Sequence, residues 1–253
     1  TAIVMSAGTG QLSRLYKTSN SGKSWKLLYT NPDQQGFFNA IDFWDHSNGL
    51  LFGDPVDGYY VIKKTTDGGK TWRRIQSSKM PATHKNEAAF AASGNTLIVG
   101  KNGKAWFTTG GFSARVYTST DFGESWSVEQ APLHQANATS GGFALALNTK
   151  QQLFVLGGDY KDRQASYQNL ATKIHDHWIK PTNAIRGLRT SMSCIDNVCV
   201  TSGKLFSDIS YNHGTTWQPL AGSGFYSIAG DGKIFLGAGD NGRIGVLNTN
   251  TIE

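Results

Sequence analysis

One eight-residue pattern occurs four times in this chain and sharply limits the folds open to it. It reads Thr18-Ser-Asn20-Ser-Gly22-Lys-Ser-Trp25, then Thr65-Thr-Asp67-Gly-Gly69-Lys-Thr-Trp72. It returns as Ser119-Thr-Asp121-Phe-Gly123-Glu-Ser-Trp126 and as Ser210-Tyr-Asn212-His-Gly214-Thr-Thr-Trp217. The tryptophans of the first three copies lie 47 and 54 residues apart, and the next interval is 91, close to two further periods. Trp178, in Lys173-Ile-His-Asp-His-Trp178, stands near the middle of that gap as a degenerate copy. Self-similarity at about 40 to 50 residues is the mark of a radial array of four-stranded blades.

Each copy has turn chemistry. Asp or Asn bonds its own backbone, Gly supplies a φ > 0 position, and Trp brings buried area with an N–H that needs a partner. The pattern therefore predicts a hairpin pinned into its blade, with Asn20, Gly22, Trp25, Asp67, Gly69, Trp72, Asp121, Gly123, Trp126, Asn212, Gly214 and Trp217 as structural residues. Around the second copy the strands read as Phe38 to Phe43, Gly49 to Phe52, Tyr59 to Thr65 and Thr71 to Ile75. The motif then falls between third and fourth strands. The fold class is all-β, and residues 1–253 form a single β-propeller domain with six blades represented.

The two ends read as incomplete blades. Ala2–Met5, Arg14–Thr18 and Ser24–Tyr29 fit second, third and fourth strands, while Phe225–Ala229, Lys233–Leu236 and Arg243–Leu247 fit first, second and third. These cannot merge into one blade, and open edges invite aggregation. The expectation is that N-terminal strands or a blade precede Thr1.

Composition excludes several classes. The net charge of +6 is modest, and Lys and Arg form no run, so nucleic acid is not an expected partner. An acidic partner or anionic surface is compatible with it. No apolar stretch reaches the length of a membrane span. The two cysteines flank a short segment, Cys194-Ile-Asp-Asn-Val-Cys199. If Asp196-Asn197 is a two-residue turn, Cys194 and Cys199 face each other across a ladder. A disulfide and two buried thiols are both open; the disulfide would fit a periplasmic or secreted protein.

The repeats, at this spacing, resemble the Asp-box or bacterial neuraminidase repeat superfamily. That group includes sialidases, sortilin-type receptors and the photosystem II assembly and stability factor. The segments Ala40-Ile-Asp-Phe-Trp44, Gly53-Asp-Pro-Val-Asp-Gly58, Glu87-Ala-Ala-Phe-Ala-Ala-Ser93, Thr109-Gly-Gly-Phe-Ser-Ala-Arg115 and Gly157-Gly-Asp-Tyr160 are similar to those of bacterial repeat-containing proteins sometimes labelled oxidoreductase-like. The resemblance implies a seventh blade in the complete protein. The copy ending at Trp178 departs from the pattern, which leaves its hairpin geometry open.

No complete catalytic constellation is visible, so the catalytic set is empty. Sialidases join a Tyr and an acid to an arginine cluster; Gly242-Arg-Ile-Gly245 stands at the wrong end of the chain and lacks the family's proline. Cofactors are none, because no phosphate-binding glycine loop precedes a helix. Metals are none: His175 and His177 would share a strand face without a third ligand, and Asp54 and Asp57 offer too few oxygens for calcium. A different polar set, Asp54, Glu87, Arg115, Asp159, Tyr160 and Arg189, falls in loops or strand ends. Two roles are open to it: a ligand site at the channel mouth, or turns, of which Gly53-Asp54-Pro55 is a good former, and buried ion pairs. The expected function is a non-enzymatic, exported scaffold or assembly factor that binds a protein or polymer. The alternative is a glycan-active propeller, a sialidase-like hydrolase or a lectin, favoured by aromatics such as Trp106 and Tyr160.

Overall fold

The computed structural model describes residues 1–91, 94–183 and 185–249. Ala92 and Ser93, the end of one family-like segment, lie outside the described residues. The strands form six antiparallel sheets. The first is β1 (Ala2–Ser6), β2 (Arg14–Thr18) and β3 (Lys26–Thr30), and the second β4 (Phe38–Phe43), β5 (Gly49–Val56), β6 (Tyr59–Thr65) and β7 (Arg73–Arg74). The third holds β8 (Leu97–Val99), β9 (Ala105–Thr108), β10 (Arg115–Ser119) and β11 (Ser127–Gln130). The fourth holds β12 (Ser140–Leu147), β13 (Leu153–Asp159), β14 (Leu170–Ile174) and β15 (His177–Ile179). The fifth is β16 (Ser191–Ile195), β17 (Val198–Ser202), β18 (Ser207–Ser210) and β19 (Gln218–Leu220), and the sixth β20 (Ser227–Asp231), β21 (Ile234–Ala238) and β22 (Ile244–Asn248).

Each sheet is a meander whose strands pair in chain order. The first strands β4, β8, β12, β16 and β20 touch in succession, which makes them the inner wall of a radial array. This is a six-bladed β-propeller. Buried apolar side chains fill the seams: Phe52, Tyr60 and Phe107 between the second and third blades, and Phe154, Leu170 and Trp217 between the fourth and fifth.

All four motif copies share one hydrogen-bond pattern. The leading hydroxyl accepts the Gly N–H four residues on, at 3.0 Å for Thr18 and 2.9 Å for Thr65, Ser119 and Ser210. It also donates to the Asp or Asn Oδ1. That oxygen in turn accepts the N–H of Ser24, Thr71, Ser125 or Thr216. Two consecutive residues take positive φ, such as Phe122 at 59° and Gly123 at 79°, and this is why the second is glycine. Trp72, Trp126 and Trp217 donate their indole N–H to the carbonyl of that glycine. Trp25 is 42 % exposed, so the first copy holds its turn without burying its ring.

Three expectations need correction, and two points left open, the Trp178 hairpin and the cysteine pairing, are decided. Gly53-Asp54-Pro55 is no turn; β5 runs through it with a bulge, a position where a missing N–H is tolerated, and the reversal comes at Asp57-Gly58. His175 is not on a strand with His177: it sits in a two-residue hairpin turn at φ 53°, because Ile174 pairs with His177. The Trp178 hairpin therefore lacks the long turn, and its indole N–H is buried without a partner. Trp106 is not an exposed aromatic; it packs half-buried beside Ile98 and Leu147. Cys194 and Cys199 pair in register and are joined by a disulfide, with Cα atoms 4.1 Å apart.

Candidate functional site

A four-stranded meander puts its first-to-second and third-to-fourth turns at one end and its second-to-third connection at the other. The motif hairpins therefore occupy one face of the propeller. The opposite face carries the connections 109–114, 160–169 and 203–206 and the lead-ins to the inner strands. Asp54, Glu87, Arg115, Asp159, Tyr160 and Arg189 all belong to this second face, and they separate into three groups along it.

The first group lies at the seam of the second and third blades. Arg115 donates through Nε to Glu87 Oε1 at 3.1 Å and through Nη2 to Glu87 Oε2, and both side chains are buried. Glu87 Oε2 also accepts the His84 N–H at 2.8 Å. Arg115 Nη2 reaches the Tyr117 hydroxyl at 2.5 Å and the Ala82 carbonyl at 2.9 Å. Tyr60 packs against Tyr117 with its hydroxyl buried and without a hydrogen-bond partner among the described residues. Burial pushes the Tyr60 phenol up, and the Glu87 charge adds to that. Asp54 accepts from Asn39 Nδ2 at 2.8 Å; burial raises its pKa and this hydrogen bond only partly offsets the rise.

Asp159, on the fourth blade, accepts from Thr139 Oγ1 at 2.6 Å, Asn137 Nδ2 at 2.8 Å and the Lys161 N–H at 2.8 Å. Burial works to raise its pKa, but these bonds outweigh it and hold the carboxyl below the usual range. Tyr160 turns outward, 40 % exposed, with its ring edge-on to Phe90 and Phe143.

Arg189 is wholly buried at the fifth blade and pairs with Asp208, which also accepts from Arg186 Nε at 2.9 Å. Arg189 donates further to the carbonyls of Phe206 and Arg186, while its Nε has no partner among the described residues. Burial lowers its pKa to about 10 despite the Asp208 charge.

Glu87 and Arg115, and Asp208 with Arg186 and Arg189, thus satisfy one another, while Asp54 and Asp159 are held by neutral donors. Glu87 has both oxygens engaged by one guanidinium, so neither is presented to a substrate as acid or nucleophile. The sequence reading missed Tyr60, Tyr117, Asn137, Thr139 and Asp208. Tyr117 was recoverable, since it alternates with Arg115 on one strand face; Asp208 lies 19 residues from Arg189 and carries no local signal.

Three exposed aromatic side chains also stand on this face. Phe112 (50 %), Tyr160 (40 %) and Tyr167 (54 %) stand on neighbouring connections of the third and fourth blades. Phe112 is held at φ 66° and its N–H bonds the Asn137 carbonyl on the fourth blade. A bulky side chain at positive φ is an outlier that costs about 1 to 3 kcal/mol. Lys161 and Arg163 are exposed on the connection between Tyr160 and Tyr167.

The BNR/Asp-box repeat family model matches residues 117–128, the third motif copy. The chain carries an Asp-box repeat. A comparison with curated proteins found no match. Among solved structures it is similar to the computationally designed Ika8 protein, at 12 % identity over 95 % of this chain and 66 % of that one, with a TM-score of 0.60. It is similar also to a Dyadobacter fermentans protein of unknown function, at 15 % identity over 94 % and 83 % with a TM-score of 0.54. A structure of YCF48 bound to a D1 peptide shares 16 % identity over 100 % and 92 %, with a TM-score of 0.48. At these identities the likeness is one of fold.

Proposed function

We propose that this Asp-box propeller is a non-catalytic binding module that recognises an acidic protein segment on the face opposite the Asp-boxes. The observation that carries this reading is that Phe112, Tyr160 and Tyr167 are each exposed on neighbouring connections of one face, with Lys161, Asp162 and Arg163 exposed between the two tyrosines. Aromatic anchors and arginine are what protein interfaces concentrate, and the net charge of +6 favours an acidic partner. The mutual neutralisation of Glu87 with Arg115 and of Asp208 with Arg186 and Arg189 supports a structural role for the face's most conspicuous charges. The Cys194–Cys199 bond supports export to the periplasm or the exterior.

Selection of a random peptide library on the purified protein tests the proposal. The expected result is enrichment of acidic sequences with an apolar anchor, lost when Phe112, Tyr160 and Tyr167 are changed together to Ser. Saturable binding or hydrolysis of a sialoside by the same protein, with no peptide enriched, would replace the proposal by the glycan-active alternative.

A further inference from the structure

The second blade carries two like-charged cross-strand pairs, and the fold treats them differently. In the register of β6 with β7, Lys64 faces Arg73 and Lys63 faces Arg74. Residues directly opposite in a ladder share a sheet face, and like charges there repel. On one face the repulsion is answered: Glu124, from the third Asp-box, accepts from Lys64 at 2.9 Å and from Arg73 at 2.7 Å. On the other face, turned toward the first blade, no carboxylate lies within ion-pair distance of Lys63 or Arg74 among the described residues. Lys63 is only 8 % exposed. Its ammonium donates to the Tyr29 hydroxyl at 3.0 Å and lies 5.3 and 5.7 Å from the Tyr29 and Phe38 ring centroids. A buried ammonium with only neutral partners, opposite a second cation, is a costly arrangement for a fold to keep.

These two cations line a cleft of about 310 Å³ between the first and second blades. Its walls include Tyr29, Phe38 and Trp72, with Tyr29 and Phe38 stacked at 6.2 Å. Asn31 also lines it; this residue is 2 % exposed, and its Nδ2 has no hydrogen-bond partner among the described residues. Buried amide N–H groups seldom stay unpaired. Asp33 also lines the cleft; its Oδ1 accepts the backbone N–H of Gln35 at 3.0 Å, and the carboxylate forms no ion pair with Lys63 or Arg74 among the described residues. The cleft thus offers three donors, two of them cationic, and aromatic walls, in a volume suited to a small ring compound.

We infer that this cleft is a binding site for a small aromatic carboxylate. The carboxylate sits between Lys63 and Arg74, where the guanidinium fork can hold both oxygens, and takes the Asn31 N–H as a third donor. The ring lies against Trp72, Tyr29 and Phe38. The bound anion does for Lys63 and Arg74 what Glu124 does for Lys64 and Arg73. This site is separate from the aromatic face and does not depend on it.

Titration with benzoate, indoleacetate and the uncharged analogue benzamide, followed by ligand-observed NMR and thermal unfolding, tests the site. Expected is saturable binding of the carboxylates with a raised Tm, at least tenfold weaker binding of benzamide, and at least tenfold loss for the carboxylates in Arg74→Gln, whose exposed position leaves the fold intact. Lys63→Met should abolish binding and raise the Tm of the ligand-free protein, because it removes an unanswered buried charge. No saturation by either carboxylate, equal binding of benzamide, or a Lys63→Met protein of lowered Tm would overturn the inference.

Discussion

Glu87 receives two hydrogen bonds from a single guanidinium, that of Arg115, 28 residues further along the chain, and neither side chain is open to solvent. The pair closes the seam between the second and third blades from the face opposite the Asp-boxes. Removing one partner of such a pair leaves the other charge buried and uncompensated. Glu87→Gln should therefore cost about 3 to 5 kcal/mol in urea unfolding. Glu87→Leu with Arg115→Met should cost much less than the sum of the two single changes, because the charge and its partner leave together.

The Asp-box glycine Gly123 and the hairpin glycine Gly58 differ in what surrounds them, and their substitution costs should differ accordingly. Gly123 has φ +79°, and an added Cβ would meet Leu50 Cδ2 of the core at 2.7 Å. Gly58 has the same φ, but nothing lies within 4 Å of its Cβ position. Gly58→Ala should destabilise by about 1 kcal/mol from backbone strain alone. Gly123→Ala adds a core clash and should reach about 3 kcal/mol, as read from paired denaturation curves.

Asp67 carries an acid-sensitive part of its hairpin. The Thr71 hydroxyl and N–H, with Thr65, hold its carboxyl down to about 2. A folded-state pKa below the unfolded value gives stability that is present above about pH 4 and lost as pH falls through the folded value. The first and fourth boxes use Asn20 and Asn212 at this position and keep the same Oδ1 contacts. Asp67→Asn should accordingly leave unfolding at pH 7 nearly unchanged and flatten the fall in Tm between pH 4 and pH 2. An acid transition as steep as that of the unaltered protein would show that Asp67 contributes none of it.

Cys194 and Cys199 close a loop of only a few residues, so the chain-entropy model limits their contribution to about 2 kcal/mol. Cys194→Ser with Cys199→Ser should lower stability by no more than this. A larger loss would mean that the sulfurs also pack the fifth blade, where Cys199 is wholly buried.

The Asp-boxes were legible in the sequence because their hydrogen bonds run between residues two to four apart. Composition alone names every donor and acceptor there. The cysteine register followed from a two-residue turn for the same reason. Gly53-Asp54-Pro55 was misread because turn-forming residues also suit a bulge, and only pairing with β4 and β6 decides between them. Glu87 and Arg115 were singled out, but their contact with each other depends on how two segments fold back across one seam. The Lys63–Arg74 juxtaposition was not legible at all. It rests on the register of β7, a strand of two residues whose position is fixed by the preceding Asp-box rather than by any periodicity of its own.

The central claim is that recognition lies with the aromatic group while the buried ion pairs only hold the face in shape. The measurement that bears on it most directly is the affinity of one selected acidic peptide for two altered proteins. The Glu87→Leu, Arg115→Met protein should bind it within about threefold of the unaltered chain, and the Phe112→Ser, Tyr160→Ser, Tyr167→Ser protein should lose at least about a hundredfold, the effect of truncating interface anchors worth about 2.7 kcal/mol together. Binding that survives loss of the aromatics and vanishes with the ion pair would contradict the account and return function to Glu87 and Arg115.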